Sequence, residues 1–115
     1  MSKEFISLKK NYEFMRVYKN GQFYVGKYMI LHAAENKRGN LRLGISVSKK
    51  VGKSVQRSRI KRLIKENFRT NFAKDVKKQD LVFVARKDSV DASFYDIKHE
   101  MKFLLKKLDL YEENN

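Results

Sequence analysis

Few residues of this chain could do chemistry, and most of those are cations. The two histidines, His32 and His99, fall on different predicted elements. A lone histidine on a strand face is more often a packed or stacking ring than a ligand. The thirteen acids are spread along the chain, and no pair has a spacing that demands general acid–base work. With no cysteine, disulfides, thiolate nucleophiles and cysteine-held zinc are excluded. Val51-Gly52-Lys53-Ser54 invites a phosphate-loop reading. That motif needs a glycine at position 47, where Val47 stands, and a β-branched side chain blocks the close backbone approach that phosphate requires. What remains is charge. Lys49, Lys50, Lys53, Arg57, Arg59, Lys61, Arg62, Lys65 and Arg69 are nine cations against one acid, Glu66, a net +8 of the chain's +14. Such a stretch suits a polyanion.

Several elements must position these cations. Asn11 is placed to cap a helix to about Asn20, with Gly21 as a left-handed stop and Phe14, Val17 and Tyr18 as its apolar stripe. Residues 22–34 read as a strand, best over 27–34, with Tyr28, Ile30 and His32 on one face and Met29, Leu31 and Ala33 on the other. A polar turn over 35–40 leads to a second alternating strand, 41–48, and the two strands read as a hairpin. A helix over about 54–72 turns Gln56, Ile60, Leu63, Ile64, Asn67 and Phe68 inward and its cations outward, with Arg57 at the border. A polar connection leads to Leu81-Val82-Phe83-Val84-Ala85, a buried strand. Ser93 and Asp96 form a capping box for a last helix to near Leu110. Asp80, Asp88 and Asp91 are assigned to turns and caps. The order αββαβα describes a single-domain α+β sandwich over 1–115, with flexible ends at 1–7 and 111–115.

At 115 residues and 42% hydrophobic content, 14 residues being Phe or Tyr, the chain can bury a small core. A pI near 10 makes nucleic acid the leading partner, because phosphates attract such a surface and binding releases their counterions. No signal-peptide pattern or membrane-length apolar run is present, and a cytoplasmic location is expected. Two surfaces carry the functional expectation. One is the cationic helix, which repels itself along the row Arg57, Lys61, Lys65, Arg69 unless phosphates neutralise it. The other is the ring-bearing set Phe14, Tyr18, Tyr28, Ile30 and His32. Composition leaves that set open between ordinary core and a groove that stacks unpaired bases.

These residues resemble a known family, the bacterial ribonuclease P protein component. Leu8 to Phe14, Val17-Tyr18 and Gly21 resemble its opening helix. Leu41 to Gly52 resembles its strand-to-helix signature, Val55 to Phe68 its arginine-rich RNR helix, and Asp80 to Arg86 the strand that follows. The family's central asparagine stands here as Ser58, and its cleft aromatic as His32. The resemblance implies a small mixed sheet with a left-handed β-α-β crossover through the basic helix, as in a known ribosomal-protein domain. It implies an accessory subunit with no catalytic residue of its own. An RNA subunit with Mg²⁺ would hydrolyse precursor tRNA to free the mature 5′ end, with no membrane and no small-molecule cofactor involved. Lys49, Lys50, Lys53, Arg57, Ser58, Arg59, Lys61, Arg62 and Lys65 would bind ribonuclease P RNA. Phe14, Tyr18, Tyr28, Ile30 and His32 would line a groove for the 5′ leader of precursor tRNA. A ribosome- or translation-associated RNA-binding module is the alternative.

Overall fold

Leu81-Val82-Phe83-Val84 is apolar toward both faces, and a strand of that kind is most stable with neighbours on both sides and layers above and below. It becomes the central strand of the molecule. The computed structural model describes residues 5–112. In chain order it contains β1 (Ile6–Ser7), α1 (Asn11–Asn20), β2 (Gln22–Val25), β3 (Met29–Ala34), β4 (Arg42–Ser46), α2 (Ser54–Asn71), β5 (Asp80–Ala85), a short 3-10 turn (Lys87–Asp91) and α3 (Phe94–Lys107). The five strands form one mixed sheet in the order β1-β4-β5-β3-β2. β4 runs parallel to β5, and β3 runs antiparallel to it. α2 therefore bridges two parallel neighbours, an α+β architecture with helices on both faces of the sheet.

Alternation decides what each face buries. Met29, Leu31, Ala33, Leu43, Leu81 and Phe83 meet Ile60, Ile64 and Phe68 of α2 and Ile97, Met101, Leu104 and Leu105 of α3 in the main core. Ala34 and Val82 point the other way, toward Leu8 and Val17, with Phe14 and Tyr18 of α1 packed beside them. Ser93 and Asp96 cap α3 reciprocally, as the sequence predicts.

The structure departs from the sequence expectations at particular points. β3 and β4 are not a hairpin, because β5 inserts between them. The partner of β3 is instead β2, since residues 22–34 fold back on themselves at Gly26–Tyr28 and pair Phe23 with His32. Glu100 of α3 holds that turn, its carboxylate accepting the N–H groups of Lys27, Tyr28 and Met29 at 2.6–2.8 Å. Of the predicted flexible ends, residues 1–4 and 113–115 lie outside the described residues. Phe5, however, is buried against Phe68, Ile6–Ser7 pair with β4, and Tyr111 bridges to Val76. Asn11 does not cap α1. Lys10 occupies that position, and Glu13 reaches back to the N–H groups of Lys9 and Lys10. Gly21 is extended, at φ −98°, rather than left-handed. A side chain there would run into the Val17 and Ala33 carbonyl oxygens, so close approach demands glycine.

Asp80 is the largest departure. It is fully buried at the start of β5 rather than in a turn. Arg42 grips it with two hydrogen bonds of 2.8 Å, while Asn36 and Arg16 add bonds of 2.8 and 3.1 Å. Arg42 also reaches Glu13 at 3.1 Å, so the cluster ties α1 to the sheet. Burial pushes the Asp80 carboxyl up, but the Arg42 and Asn36 hydrogen bonds and the Arg42 and Arg16 charges outweigh it and leave the carboxyl below its usual range. Backbone hydrogen bonds from Lys10 and Lys9 lower Glu13 in the same way. Carboxyls lowered in the fold stabilise it fully above their unfolded values, and that stability is lost as pH falls through the folded ones. Thermal unfolding should therefore show a plateau above about pH 5 and a decline below about pH 4. Asp80→Asn should cost about 3 kcal/mol at neutral pH by leaving Arg42 without its buried partner, and the acid decline should become shallower.

Candidate nucleic-acid interface

The cationic surface begins where β4 ends. After Ser46 the chain passes through Lys49 and Lys50 and enters α2 at Gly52-Lys53. A side chain at Gly52 would meet the Gln56 amide oxygen at 2.6 Å, because Gln56 folds back to accept the Lys53 N–H at 2.8 Å. Gln56 is thus an exposed capping residue rather than a core residue, while Ile60, Ile64, Asn67 and Phe68 are buried as the sequence predicts. Lys49, Lys50, Lys53, Ser58, Lys61, Arg62, Lys65 and Arg69 are exposed, and Arg57 and Arg59 are half-buried. The two arginines are held by the protein itself: Arg57 donates to the Gly52 carbonyl at 3.2 Å and Arg59 to the Ala92 carbonyl at 2.9 Å. Among the described residues no carboxylate lies within ion-pair distance of these cations. The first turn of α2 also lacks an acid, so its N–H groups add to the positive field. The whole arrangement can bind several phosphates at once, with arginine forks supplying bidentate geometry.

The second surface lies on the opposite face of the sheet, under α1. Phe14 can rest on the sheet because the position beneath it is Gly44; a side chain there would come within 2.7 Å of the ring. Tyr18 meets the His32 ring edge-on at 4.8 Å, and His32 stacks on Phe23 at 5.4 Å with 28° between the planes. Ile30, His32 and Val84 are half-buried between them. Burial pushes the Tyr18 phenol up, with Ser46 at the end of β4 pulling it back. Burial also lowers His32, so its ring is neutral near pH 7. The result is a part-exposed, ring-lined strip between α1 and β2, the candidate groove.

The predicted groove residues Phe14, Tyr18, Ile30 and His32 are brought together. Tyr28 is not: it precedes β3, leaves the alternation, and packs against the main core on the other side of the sheet. Phe23 joins the groove instead and is 60% exposed. Only the β2–β3 pairing brings it there, and residue types alone make 22–34 one continuous run.

A basic helix facing outward and a ring-bearing face under α1, both carried on a small mixed sheet, suit an RNA-binding protein of α+β class. Comparison with known proteins narrows that class. Residues 2–109 match the ribonuclease P family model, and the chain belongs to that family. It is 49% identical to the ribonuclease P protein component of Clostridium botulinum (strain 657 / Type Ba4) over 105 residues, 90% of this chain and 95% of the relative. It is 46% identical to that of Clostridioides difficile (strain 630) over 104 residues, 90% of this chain and 91% of the relative. The Staphylococcus aureus RNase P protein superimposes with a TM-score of 0.85 at 34% identity, covering 92% of this chain and 97% of that one. The Thermotoga maritima protein does so with 0.79 at 28% identity, covering 90% and 97%. The chain is therefore the protein component of a tRNA-processing ribonucleoprotein, with ribonuclease P RNA as its partner.

Mg²⁺, which the family implies, finds no cage here. Among the described residues no group of three or more histidines, cysteines or acids is placed to hold a metal ion, and Mg²⁺ sites commonly draw on phosphates as well as on carboxylates.

The packing of Phe14 on Gly44 is directly testable. Gly44→Ala should lift α1 from the sheet and lower stability by about 1–3 kcal/mol, as overpacking does. A circular-dichroism melt that matches the parent would show that the ring does not rest there.

Proposed function

We propose that α2 and the loop before it bind ribonuclease P RNA, and that the groove under α1 holds the single-stranded 5′ leader of precursor tRNA. In this reading Lys49, Lys50, Lys53, Ser58, Lys61, Arg62 and Lys65 reach RNA phosphates and sugars directly. Arg57 and Arg59 do so while braced against Gly52 and Ala92. Phe14, Tyr18, Phe23, Ile30 and His32 receive leader bases. Hydrolysis that frees the mature 5′ end is carried by the RNA, with Mg²⁺ held by RNA and substrate phosphates, in the cytoplasm.

One observation carries the proposal. β4 delivers both surfaces: its residues Gly44 and Ser46 floor the groove, and three residues later its continuation becomes the cationic loop. A strand lying in the groove would therefore emerge beside the RNA that the loop binds. Rings accept any unpaired base face, and paired bases present none, so the groove favours a single-stranded extension over a mature end.

The test is stimulation. At limiting Mg²⁺ the purified protein should accelerate cleavage of precursor tRNA by a bacterial ribonuclease P RNA. Tyr18→Ala should weaken leader binding by about 1–3 kcal/mol with only a modest loss in the melt, since the ring is half-buried against its cluster. If the variant loses thermal stability and keeps its leader affinity, the ring belongs to the core.

The cations separate by role. Arg62→Ala should leave stability unchanged and reduce the salt dependence of RNA-subunit binding, its logarithmic slope falling by about 0.7–0.9 for each phosphate the arginine neutralises. Arg59→Ala should do the same and also cost about 0.5–1.5 kcal/mol of stability through the Ala92 hydrogen bond. Paired salt titrations and melts read both quantities.

A further inference from the structure

Beyond the groove and the basic helix, one more surface combines rings with cations. It is carried by β2, the edge strand of the sheet, every residue of which is exposed. Phe23 and Tyr24 are adjacent, so they project to opposite faces of that edge. Phe23 turns into the groove and stacks on His32. Tyr24 turns to the far side and meets Phe103 of α3 edge-on, with ring centres 5.7 Å apart. Both rings are open to solvent, Tyr24 at 38% and Phe103 at 46%. The Lys107 ammonium lies over both, 5.8 Å from Tyr24 and 5.5 Å from Phe103.

The patch is held in place and its charge is one-sided. Gln22 donates to the Leu108 carbonyl at 3.2 Å, which pins the start of β2 to the end of α3. Glu100 pins the other end through three backbone N–H groups. α3 carries Lys98, Lys102, Lys106 and Lys107 against Asp96 and Glu100. Two exposed rings with a cation at their edge suit a base beside its phosphate. A second protein would bury the same rings, but it would also have to accommodate this excess of lysines.

We propose that the Tyr24–Phe103–Lys107 patch is a second single-stranded RNA subsite. It takes the upstream part of the leader after the strand leaves the groove and passes over the β2 edge. The inference rests on the reading of the groove as the leader site. Continuity supports it: Phe23 is the last ring inside the groove, and Tyr24, the next residue, is the first ring outside it.

The test compares precursor tRNAs whose leaders have about 4 or about 12 nucleotides, lengths within the span that single-strand sites cover. The protein is reconstituted with ribonuclease P RNA. The double variant Tyr24→Ala, Phe103→Ala should bind the long-leader precursor about five- to thirtyfold more weakly and the short-leader precursor as the parent does. Lys107→Gln, a surface change that leaves both rings in place, should give a smaller loss with the same dependence on length. It decides the matter if the double variant fails to fold. A photoreactive uridine placed upstream in the long leader should crosslink to α3. Equal losses at both lengths, no loss at either, or a dimer of the parent that dissociates in the double variant would overturn the proposal. The groove is tested separately: short-leader binding that ignores Tyr18→Ala counts against the groove and leaves the length dependence of the outer patch to be read by itself.

Discussion

The fold depends on one buried ion pair. Asp80 has no solvent contact, and Arg42 is nearly as deep, on the neighbouring parallel strand. Taking two charges out of water is expensive, and the fold recovers that loss only if every lone pair finds a donor. Here each does. Arg42 approaches the carboxylate side-on with two nitrogens, and Asn36 and Arg16 fill the remaining positions. The arrangement selects register as well as stability. Arg42 and Asp80 are opposite one another in the β4–β5 ladder, and a slip by one residue would turn one of them into the main core. Because Arg42 and Asp80 also engage Glu13 and Arg16, the same cluster sets the angle at which α1 crosses the sheet. The groove is what remains between that helix and the edge strand, so its shape is inherited from the ion pair.

Much of this was legible in the chain. The helical periodicity of α2 separates a packing face from a cationic face, and Ile60, Ile64, Asn67 and Phe68 are buried on the face it names. The Ser93–Asp96 box stands as read, because capping is local and its geometry repeats. What was not legible was non-local. Alternation shows which residues share a face but not which strand lies beside which, so β3 and β4 resemble a hairpin until β5 claims the place between them. Gly26 alone does not announce a turn, since the turn is secured by Glu100 from more than 70 residues away. Asp80 reads as a turn residue because a lone acid before an apolar run usually is one. Only its meeting with Arg42 explains why it is buried.

The candidate site divides along the same line. The basic surface was readable because it is a density of charge, and charge is a property of composition. The groove was readable in part, since Phe14, Tyr18, Ile30 and His32 follow from two local periodicities. Tyr28 falls outside it because the alternation of β3 does not extend back into the turn that precedes the strand. Phe23 was hidden for the complementary reason: its partner across the sheet is known only from the β2–β3 register. Family membership names the RNA partner, and the geometry shows how a sheet of this size can carry a cationic surface and a ring-bearing surface apart from one another. They occupy opposite faces and share only β4.

That separation bears on how the two surfaces divide recognition. Phosphate contacts from α2 are strong but blind to pairing, because every RNA backbone carries the same charge. Ring contacts are weaker and screen for unpaired bases, because a base inside a helix has no free face to stack. If both lay on one surface, the field of nine cations would draw duplex and single strand alike over the rings. By setting them on opposite sides of a sheet, the fold keeps the cationic face of α2 apart from the ring-bearing face under α1. The Arg42–Asp80 pair is buried beside α1, where Glu13 and Arg16 join it in a cluster of two cations and two acids. Its charges cancel locally, so the sheet can hold α1 firmly without adding another positive patch to the floor of the groove.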